Sequence, residues 1–351
     1  MVNFAIVFCV FFQASISLFA QEKEIIIRNG EVEIGGTLFF PDSETDGTLV
    51  ILISGSGPQD RDESIVGFKP FKVIAEHLVE NGISSYRFDD RGVGKSTGVF
   101  NDATLQIMAS DVGAIISHFK ESSEHSYSEF ILLGHSQGGM VGAKAATQNK
   151  DVTHLILMAS PIVSLKDVIS EQIVVMQKAI GKTDEDLEPT LAFQEKVYAA
   201  VRTDEGWDEV RENFKELINA ELAKLPEAQQ AYITDRNAFA EAQFTRSIDP
   251  IKTLQMRSLL FYDSGNDIES LNIPILGIFG GKDTQVTVKQ NGRRLDEICS
   301  SKENCVSITF EDANHLFQKA QTGLPMEYAT LSKEFVVGFL SSISSWILNY
   351  Q

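Results

Sequence analysis

The sequence predicts an α/β fold in which a mostly parallel, doubly wound sheet is interrupted by an inserted helical lid. Three observations lead to this prediction. Short apolar runs suited to buried strands alternate with helical patterns over residues 49–158, as is typical of parallel sheets covered by helices on both faces. Over residues 163–270 the pattern is helical only, rich in Glu, Ala, Lys and Gln. Strand character then resumes at residue 273, which indicates that the sheet is completed after the insertion.

The individual elements follow from hydrophobic periodicity and turn signals. The first two strands flank Asn29-Gly30, a pair that favours a tight hairpin, so we expect an antiparallel edge. The predicted strands are residues 24–29, 31–41, 49–53, 84–88, 130–133, 155–158, 273–279 and 306–310. The predicted helices are residues 68–80, 105–119, the segment after Gly138, 286–299 and 331–348. The apolar part of the last helix, residues 335–348, is short for a membrane span and contains four serines, so we expect this helix to pack on the sheet.

These elements divide the chain into four predicted parts. They are a signal peptide (1–20), a first core segment (21–160), the helical lid (161–272) and a second core segment (273–351). The aromatic side chains of the lid either line an acyl pocket or pack the lid's own core. The candidates are Phe193, Tyr198, Trp207, Phe214, Phe239 and Phe244.

Composition restricts the classes of partner. The chain has 351 residues and a formal net charge of −19, which disfavours nucleic acid and polyanionic substrates because phosphate groups would be repelled. The six histidines and three cysteines form neither an H-E-x-x-H nor a C-x-x-C motif, so we expect no metal site. No cofactor is expected either, and oligomeric state is left open.

The N-terminus has the character of an export signal. Residues 2–20 are uncharged and apolar and are followed by the charged segment QEKE, which predicts cleavage after Ala20 and a periplasmic or secreted protein. Two features fit less well, because no Lys or Arg precedes the apolar run and Leu18 is large for its position. An uncleaved N-terminal membrane anchor is the alternative.

Two cysteines remain once the leader is removed. Cys9 lies within the leader, whereas Cys299 and Cys305 lie six positions apart between a predicted helix end and a strand start. In an exported protein this pair would either close a small disulfide loop or remain as two free thiols. Spacing alone does not decide between the two states.

The segment GHSQGG at residues 134–139 is the strongest chemical signal in the chain. It follows the apolar run 130–133 and precedes a helical pattern of small residues. A G-x-S-x-G string between a strand and a helix indicates a sharp corner that exposes a serine, with glycines where strand and helix cross closely. We therefore predict that Ser136 is a nucleophile, the alternative being a serine that only caps the helix.

A serine nucleophile needs a base and an acid that orients the base. Asp283 follows the predicted strand 273–279, and His315 follows the strand 306–310. The order Ser, Asp, His, with an insertion before the acid, is that of the α/β-hydrolase fold. Taken singly, Asp283 could be a turn carboxylate and His315 a loop residue, but together with Ser136 they predict a catalytic triad.

The tetrahedral intermediate of such a reaction needs two backbone N–H donors for its oxyanion. One is predicted to be that of Gln137, directly after the nucleophile, because this position supplies a donor in the fold. The other is predicted to come from the glycine-containing loop after strand 49–53, from Ser56 or next from Gly55. A plain turn is the alternative interpretation of that loop.

The segment RFDDRGVGKS at residues 87–96 resembles the end of a phosphate-binding loop but fails its pattern. The first glycine of G-x-x-x-x-G-K-S would fall on Asp89, whose carboxylate would repel phosphate. No third glycine follows Gly55 and Gly57 at position 60, so a dinucleotide fingerprint is absent. We expect instead that the charged residues of the two loops pair and support the oxyanion loop. They are Asp60, Arg61 and Asp62 in one loop and Asp89, Asp90 and Arg91 in the other.

The quoted motifs are similar to those of a known family. SGSGPQDRD at residues 54–62, RFDDRGVGKS at residues 87–96, the nucleophile corner and GGKDTQV at residues 280–286 resemble secreted bacterial α/β-hydrolases of the esterase D type, which border on serine aminopeptidase-like hydrolases. The resemblance covers nearly all of the chain after the leader, and the lid is its least similar part. It implies hydrolysis of short-chain carboxylic esters.

The predicted function is therefore that of a serine hydrolase acting on a small-molecule ester. An aminopeptidase or amidase with the same triad is the nearest alternative, in which carboxylates of the lid would hold a free amino terminus. A binding protein without catalytic activity on the same fold is the alternative from another class.

Overall fold

The protein is built on an eight-stranded sheet with strand order β1-β2-β4-β3-β5-β6-β7-β8. The structure is a computed structural model, and it describes residues 20–42 and 47–350. The strands are β1 (Ala20–Asn29), β2 (Val32–Pro41), β3 (Thr48–Ile53), β4 (Ser84–Phe88), β5 (Glu129–His135), β6 (Val152–Met158), β7 (Ile275–Gly280) and β8 (Cys305–Phe310).

Strand direction divides the sheet into an antiparallel edge and a parallel body. β1 pairs antiparallel with β2, and β2 antiparallel with β4. From β4 through β3 to β8 every neighbouring pair is parallel. The predicted fold class, including the antiparallel hairpin edge, is confirmed.

Helices cover both faces of the sheet. They are α1 (Pro70–Glu80), α2 (Leu105–Glu121), α3 (Gln137–Gln148), α4 (Leu165–Ala179), α5 (Asp184–Thr203), α6 (Trp207–Ala223), α7 (Glu227–Gln230), α8 (Arg236–Ile248), α9 (Leu254–Leu260), α10 (Ser264–Ser270), α11 (Arg293–Cys299) and α12 (Phe339–Asn349). The central strand β3 shows why both faces need cover. Leu49 and Ile51 belong to the apolar cluster that contains residues of α2 and α3, whereas Val50 and Leu52 belong to the cluster with α1 and α12, because successive side chains of a strand point to opposite faces.

Helices α4 to α10 lie between β6 and β7 in the chain. Several of them share an apolar cluster of their own, with Val197, Val210, Phe244 and Leu260 at its centre. The exact limits of this insertion, predicted at residues 161 and 272, remain a prediction.

Two helices begin later than predicted. A π-helical turn over Val288–Gly292 precedes α11, so α-helix starts at Arg293. The closing helix starts at Phe339 rather than near residue 331, because Gly338 has a φ of +89°, which a right-handed helix does not allow. Before that glycine the chain is tied to the site loop, since Val336 N donates to Phe317 O (2.8 Å).

Cys299 and Cys305 are joined by a disulfide, with their Cα atoms 4.9 Å apart. Cys299 is the last residue of α11 and Cys305 the first of β8. Of the two states that the sequence left open, the structure therefore has the bonded one.

The closing helix packs on the sheet through Phe339, Ile343 and Ile347, which are buried. Within the described ranges, no helix combines the length and the apolar character that a bilayer span requires. Residues 1–19 of the predicted signal peptide lie outside the described residues, as do residues 43–46 and 351.

Candidate active site

The residues predicted to carry chemistry all follow parallel strands. β3, β5, β7 and β8 belong to the parallel body of the sheet, so their carboxyl ends lie at one edge. Ser136 comes directly after β5, Asp283 follows β7 and His315 follows β8. This edge is where open α/β sheets carry their ligands.

Ser136 occupies a strained corner between β5 and α3. Its φ and ψ are 53° and −122°, in a region that L-residues other than glycine rarely adopt. The Ser136 N–H donates to Met158 O (2.8 Å), which anchors the corner to β6. The flanking glycines have no room for a side chain, because a Cβ on Gly134 would lie 2.3 Å from Gly138 O and one on Gly138 would lie 2.0 Å from Ile53 O.

Asp283 and His315 form a buried pair. His315 Nδ1 donates to Asp283 Oδ2 at 2.7 Å, and both side chains are almost fully buried. The other carboxylate oxygen, Oδ1, accepts the N–H groups of Gln285 (2.7 Å) and Val286 (3.0 Å). Three donors therefore hold the Asp283 carboxylate in one orientation, and that orientation assigns the proton of His315 to Nδ1.

Backbone contacts bring these two loops together. Lys282 N donates to Ala313 O (2.9 Å), and a Cβ on Gly280 would lie 2.6 Å from the carbonyl oxygens of Ala313 and Asn314. The buried Asn314 side chain braces the histidine loop, because its Oδ1 accepts the N–H groups of Leu316 (3.0 Å) and Gln318 (2.9 Å). Sequence reasoning missed Asn314, although an Asn before the histidine in a loop is a turn signal.

Two observations place the serine beside the other loops. The ring of His315 lies 4.8 Å from the ring of His135, the residue before Ser136. A Cβ built on Gly55 would lie 3.3 Å from Ser136 Cβ, so the loop after β3 passes directly over the serine. Within the described part of the chain, neither Ser136 Oγ nor His315 Nε2 has a hydrogen-bond partner.

The two candidate donors of the oxyanion loop are not equivalent. The N–H of Gly55 donates to Glu63 Oε1 (2.7 Å) and is therefore already used. This removes Gly55 from the predicted donors, and its contribution is instead the close approach of its backbone to Ser136. Ser56 is exposed, and Gln137 is the first residue of α3, where the N–H has no partner within the helix.

Glu63 and His135 form a second buried carboxylate–histidine pair. Glu63 Oε1 also lies 2.7 Å from His135 Nδ1, and His135 Nε2 lies 3.0 Å from His315 O. Burial alone would lower the pKa of His135, but the Glu63 carboxylate outweighs it and raises that pKa above its usual value. A doubly protonated ring would donate to both of these oxygens, and the raised pKa favours that form.

This pair connects three parts of the site. Through Glu63 and His135 it joins the loop of Gly55, the residue before Ser136 and the backbone of His315. Glu63 Oε2 is buried and has no partner among the described residues. The sequence revealed neither Glu63 nor the pairing of His135 with it.

We expect Glu63→Gln to destabilise the fold as well as the site. The neutral amide would remove the carboxylate that raises the pKa of the buried His135, and a broken buried ion pair typically costs about 3–5 kcal/mol. Denaturant unfolding of the variant measures this loss. Glu76→Gln is the matched control, since Glu76 is 48% exposed and its one ion pair within the described residues is with Lys72. An unfolding free energy equal to that of the wild type would contradict the role given to Glu63.

Charged residues in the loops after β3 and β4 pair with one another, but not every expected pair forms. Arg61 pairs with Asp89 through Nη2–Oδ2 (2.7 Å), and this guanidinium holds the pKa of Asp89 low although burial alone would raise it. Asp90 accepts Ser54 Oγ (3.0 Å) and Gln59 N (2.9 Å). Burial raises the pKa of Asp90 to about 7 despite these two donors.

Asp60 and Arg91 differ from expectation. Asp60 Oδ1 accepts the N–H groups of Asp62 and Ser64, both at 3.0 Å, and so shapes its own loop. Arg91 pairs with Asp111 of α2 at 2.7 Å rather than with residues 60–62. The expected pairing of Arg91 was therefore wrong, because adjacent residues after β4 point in different directions. Within the described ranges, no cluster of three His, Cys, Asp or Glu side chains is arranged to hold a metal ion.

The chain is similar to several known proteins. Residues 68–318 match the model of the Hydrolase_4 family, described as serine aminopeptidase, S33. The esterase EstD of Thermotoga maritima is 27% identical over 309 residues, which is 88% of this chain and 63% of that protein. Protein phosphatase methylesterase 1 of Candida albicans is 28% identical over 129 residues, or 36% of this chain and 33% of its own length. The chain thus spans less than two thirds of the length of these curated relatives.

Solved structures share the fold at low sequence identity. An esterase of Pyrococcus furiosus has a TM-score of 0.55 and 16% identity, covering 100% of this chain and 98% of its own. A proline iminopeptidase of Mycobacterium smegmatis also has a TM-score of 0.55 and 16% identity, covering 93% and 98%. Both confirm the architecture.

Proposed function

The chain belongs to the Hydrolase_4 family of serine aminopeptidase-like (S33) α/β-hydrolases, and on that basis we propose that it cleaves carboxylic esters through an acyl-enzyme on Ser136. The observation that carries the proposal is the buried Asp283–His315 hydrogen bond of 2.7 Å beside a serine in a strained corner. The relative EstD, named an esterase, favours an ester over an amide.

In the proposed first half-reaction, His315 Nε2 takes the hydroxyl proton as Ser136 Oγ attacks the ester carbonyl carbon. Asp283, fixed by its three donors, stabilises the imidazolium. The oxyanion accepts hydrogen bonds from the N–H groups of Gln137 and Ser56. As the tetrahedral intermediate collapses, the carbon–oxygen bond of the leaving alcohol breaks, and His315 donates its proton to that oxygen.

In the second half-reaction, water replaces the alcohol. His315 takes a proton from the water as it attacks the acyl carbon, and the collapse of this second intermediate returns a proton to Ser136 Oγ and releases the carboxylic acid. Ser136, Asp283 and His315 at the sheet edge are the only side chains that this cycle uses, and the proton balance requires no other group.

We further propose a preference for short acyl chains. The cavity that adjoins Gly55 and Gln137 has a volume of only about 30 Å³, and it is lined by Ile53, Phe88 and Val141. That volume is far below the roughly 300–1,000 Å³ of a typical ligand pocket, which favours a small acyl group. We also propose that the protein is exported and that its leader is cleaved after Ala20. Residues 161–272 are proposed to form the lid.

The test is a substrate panel. We expect release of p-nitrophenol from acetate, butyrate and octanoate esters to fall with chain length, and to exceed release of p-nitroaniline from aminoacyl anilides. Ser136→Ala supplies the blank. Faster cleavage of the anilides would move the assignment to a peptidase. The absence of serine-dependent turnover on every substrate would favour a binding protein.

A further inference from the structure

The side chain of Gln137 is fixed, although the proposed reaction uses only the backbone N–H of this residue. Gln137 is 4% exposed. Its carboxamide has a partner at each end, because Gln255 Nε2 donates to Gln137 Oε1 (3.1 Å) and Gln137 Nε2 donates to Met108 Sδ (3.8 Å). Leaving a buried polar group without its partners costs free energy. The two contacts therefore hold the carboxamide of Gln137 in one place.

This side chain belongs to the wall of the small cavity beside the nucleophile corner. Gln137 and Met108 both line that cavity, which has a volume of about 30 Å³. Gln137 also directly follows Ser136 in the chain, and Ser136 is the residue that would carry the acyl group. An acyl chain that enters the cavity from Ser136 would therefore lie next to Gln137.

The apolar part of the cavity wall has little room to move. Ile53, Phe88 and Val141 line the cavity, are at most 8% exposed and belong to the main apolar cluster. Protein interiors are packed as densely as organic crystals, and extra methylenes forced into them strain the side chains. The cavity cannot lengthen toward these three residues without disturbing the core.

The charged part of the wall is unsuited to a hydrocarbon chain. Arg91 Nη2 lies 2.7 Å from Asp111 Oδ1, and both residues line the cavity. A methylene chain against this ion pair would take the place of water and offer no hydrogen bond in return. The wall beside Gln137, in contrast, is held by side-chain hydrogen bonds. It is therefore the side at which one substitution can change the length of the cavity.

Helix α9 of the insertion carries Gln255 and is anchored on two sides. Leu259 packs in the main apolar cluster, whereas Leu260 packs in the cluster of the inserted helices. Ser258 Oγ of the same helix accepts the N–H of Leu105 (2.8 Å), the first residue of α2. Gln255 is itself 4% exposed and does not line the small cavity. Any effect of Gln255 on the cavity must therefore pass through Gln137.

We propose that the side chain of Gln137 limits the length of the acyl group, and that Gln255 of α9 positions it. This inference rests on the proposed esterase function and assigns the inserted helices a part in substrate choice. Gln137→Ala removes the carboxamide and the methylene that carries it but keeps the backbone N–H for the oxyanion. The space that is freed adjoins the acyl group and should accept a longer chain.

The test compares kcat/KM for p-nitrophenyl butyrate with kcat/KM for p-nitrophenyl acetate. In Gln137→Ala the butyrate-to-acetate ratio is expected to rise at least about tenfold, because a methylene that an apolar pocket accommodates is worth about 10- to 200-fold in specificity. Gln255→Leu should raise the ratio by a smaller factor, since Gln137 then loses one of its two partners. A purely structural role would lower both rates together and leave the ratio unchanged.

Gln148→Ala is the matched control. Gln148 is the last residue of α3 and forms the same kind of pair, because its carboxamide exchanges hydrogen bonds of 2.7 and 2.8 Å with that of Gln106. Both of these residues are exposed, and neither lines the cavity, so the ratio should stay at the wild-type value. An unchanged ratio in a folded, active Gln137→Ala protein, or an equal rise in Gln148→Ala, would overturn the inference alone. Absence of Ser136-dependent turnover on every ester would overturn the proposed function and this inference with it.

A second measurement uses the wild-type protein and applies even if Gln137→Ala does not fold. Ser136 Oγ attacks the phosphorus of ethyl p-nitrophenyl butylphosphonate, p-nitrophenolate leaves, and the crystal structure of the adduct is determined. The end of the butyl chain is expected within about 4.5 Å of the Gln137 side chain, the distance of an apolar contact. A butyl chain directed away from Gln137 would refute the assignment.

Discussion

Replacement of Ser136 by alanine is expected to lower kcat for p-nitrophenyl acetate by about 10⁶-fold, the loss that removal of a triad serine typically causes. The hydroxyl is the only group at the β5–α3 corner that can form the acyl-enzyme. The fold should persist, because Ser136 Oγ makes no hydrogen bond within the described residues and the corner is held by Ser136 N and Met158 O.

The control for this variant is Ser117→Ala. Ser117 is an exposed serine of α2 whose hydroxyl donates to Gly113 O of the same helix, so its loss should not change turnover. Initial rates and the thermal unfolding midpoint of both variants separate catalysis from folding. If Ser136→Ala kept even about a hundredth of the wild-type rate, the acyl-enzyme mechanism would be abandoned, because that loss is far smaller than a triad serine explains.

Asp283→Asn is expected to lower kcat by about 10⁴-fold while leaving the fold intact. The carboxylate of Asp283 accepts Gln285 N and Val286 N on one oxygen and His315 Nδ1 on the other. An amide has only one acceptor oxygen. If that oxygen stays with the two backbone donors, the NH₂ group faces His315 Nδ1, which must then accept, and the ring proton moves to Nε2.

That change of tautomer removes the base. With a proton on Nε2, His315 has no lone pair to take the Ser136 proton, although every heavy atom stays in place. Asp312→Asn is the matched control, because Asp312 is 61% exposed and, in the part of the chain that the structure describes, its one ion pair is with Lys282 at 3.3 Å. We expect the control to retain activity, and an equally active Asp283→Asn protein would show that Asp283 does not orient the histidine.

The sheet and the order of the site residues could be predicted because their signals are local. A short run of apolar residues predicts a strand, and the pair Asn29-Gly30 predicts a hairpin. The glycines at positions 134 and 138 indicate the nucleophile corner. The parallel direction of β3, β5, β7 and β8 then brings the residues after them to one edge without further information. The Asp283–His315 contact follows from that topology.

Other features depended on single contacts between distant segments. The closing helix starts late because Gly338 takes a positive φ, while periodicity alone extends the helix through it. Arg91 pairs with Asp111 because of how α2 packs against the loop after β4, and the pairing of Cys299 with Cys305 needed their actual separation.

The amino-acid sequence by itself determined the family, the alternating architecture and the residue types offered at the sheet edge, because each is written in a short stretch of chain. Only the tertiary structure decided which backbone N–H groups near Ser136 already have a hydrogen-bond acceptor. Glu63 and His135 lie 72 positions apart, and His135 and His315 lie 180 apart, so no local pattern links them. By taking up the N–H of Gly55, Glu63 leaves Ser56 and Gln137 as the proposed donors, because an N–H that already donates to a buried carboxylate is not available to an oxyanion.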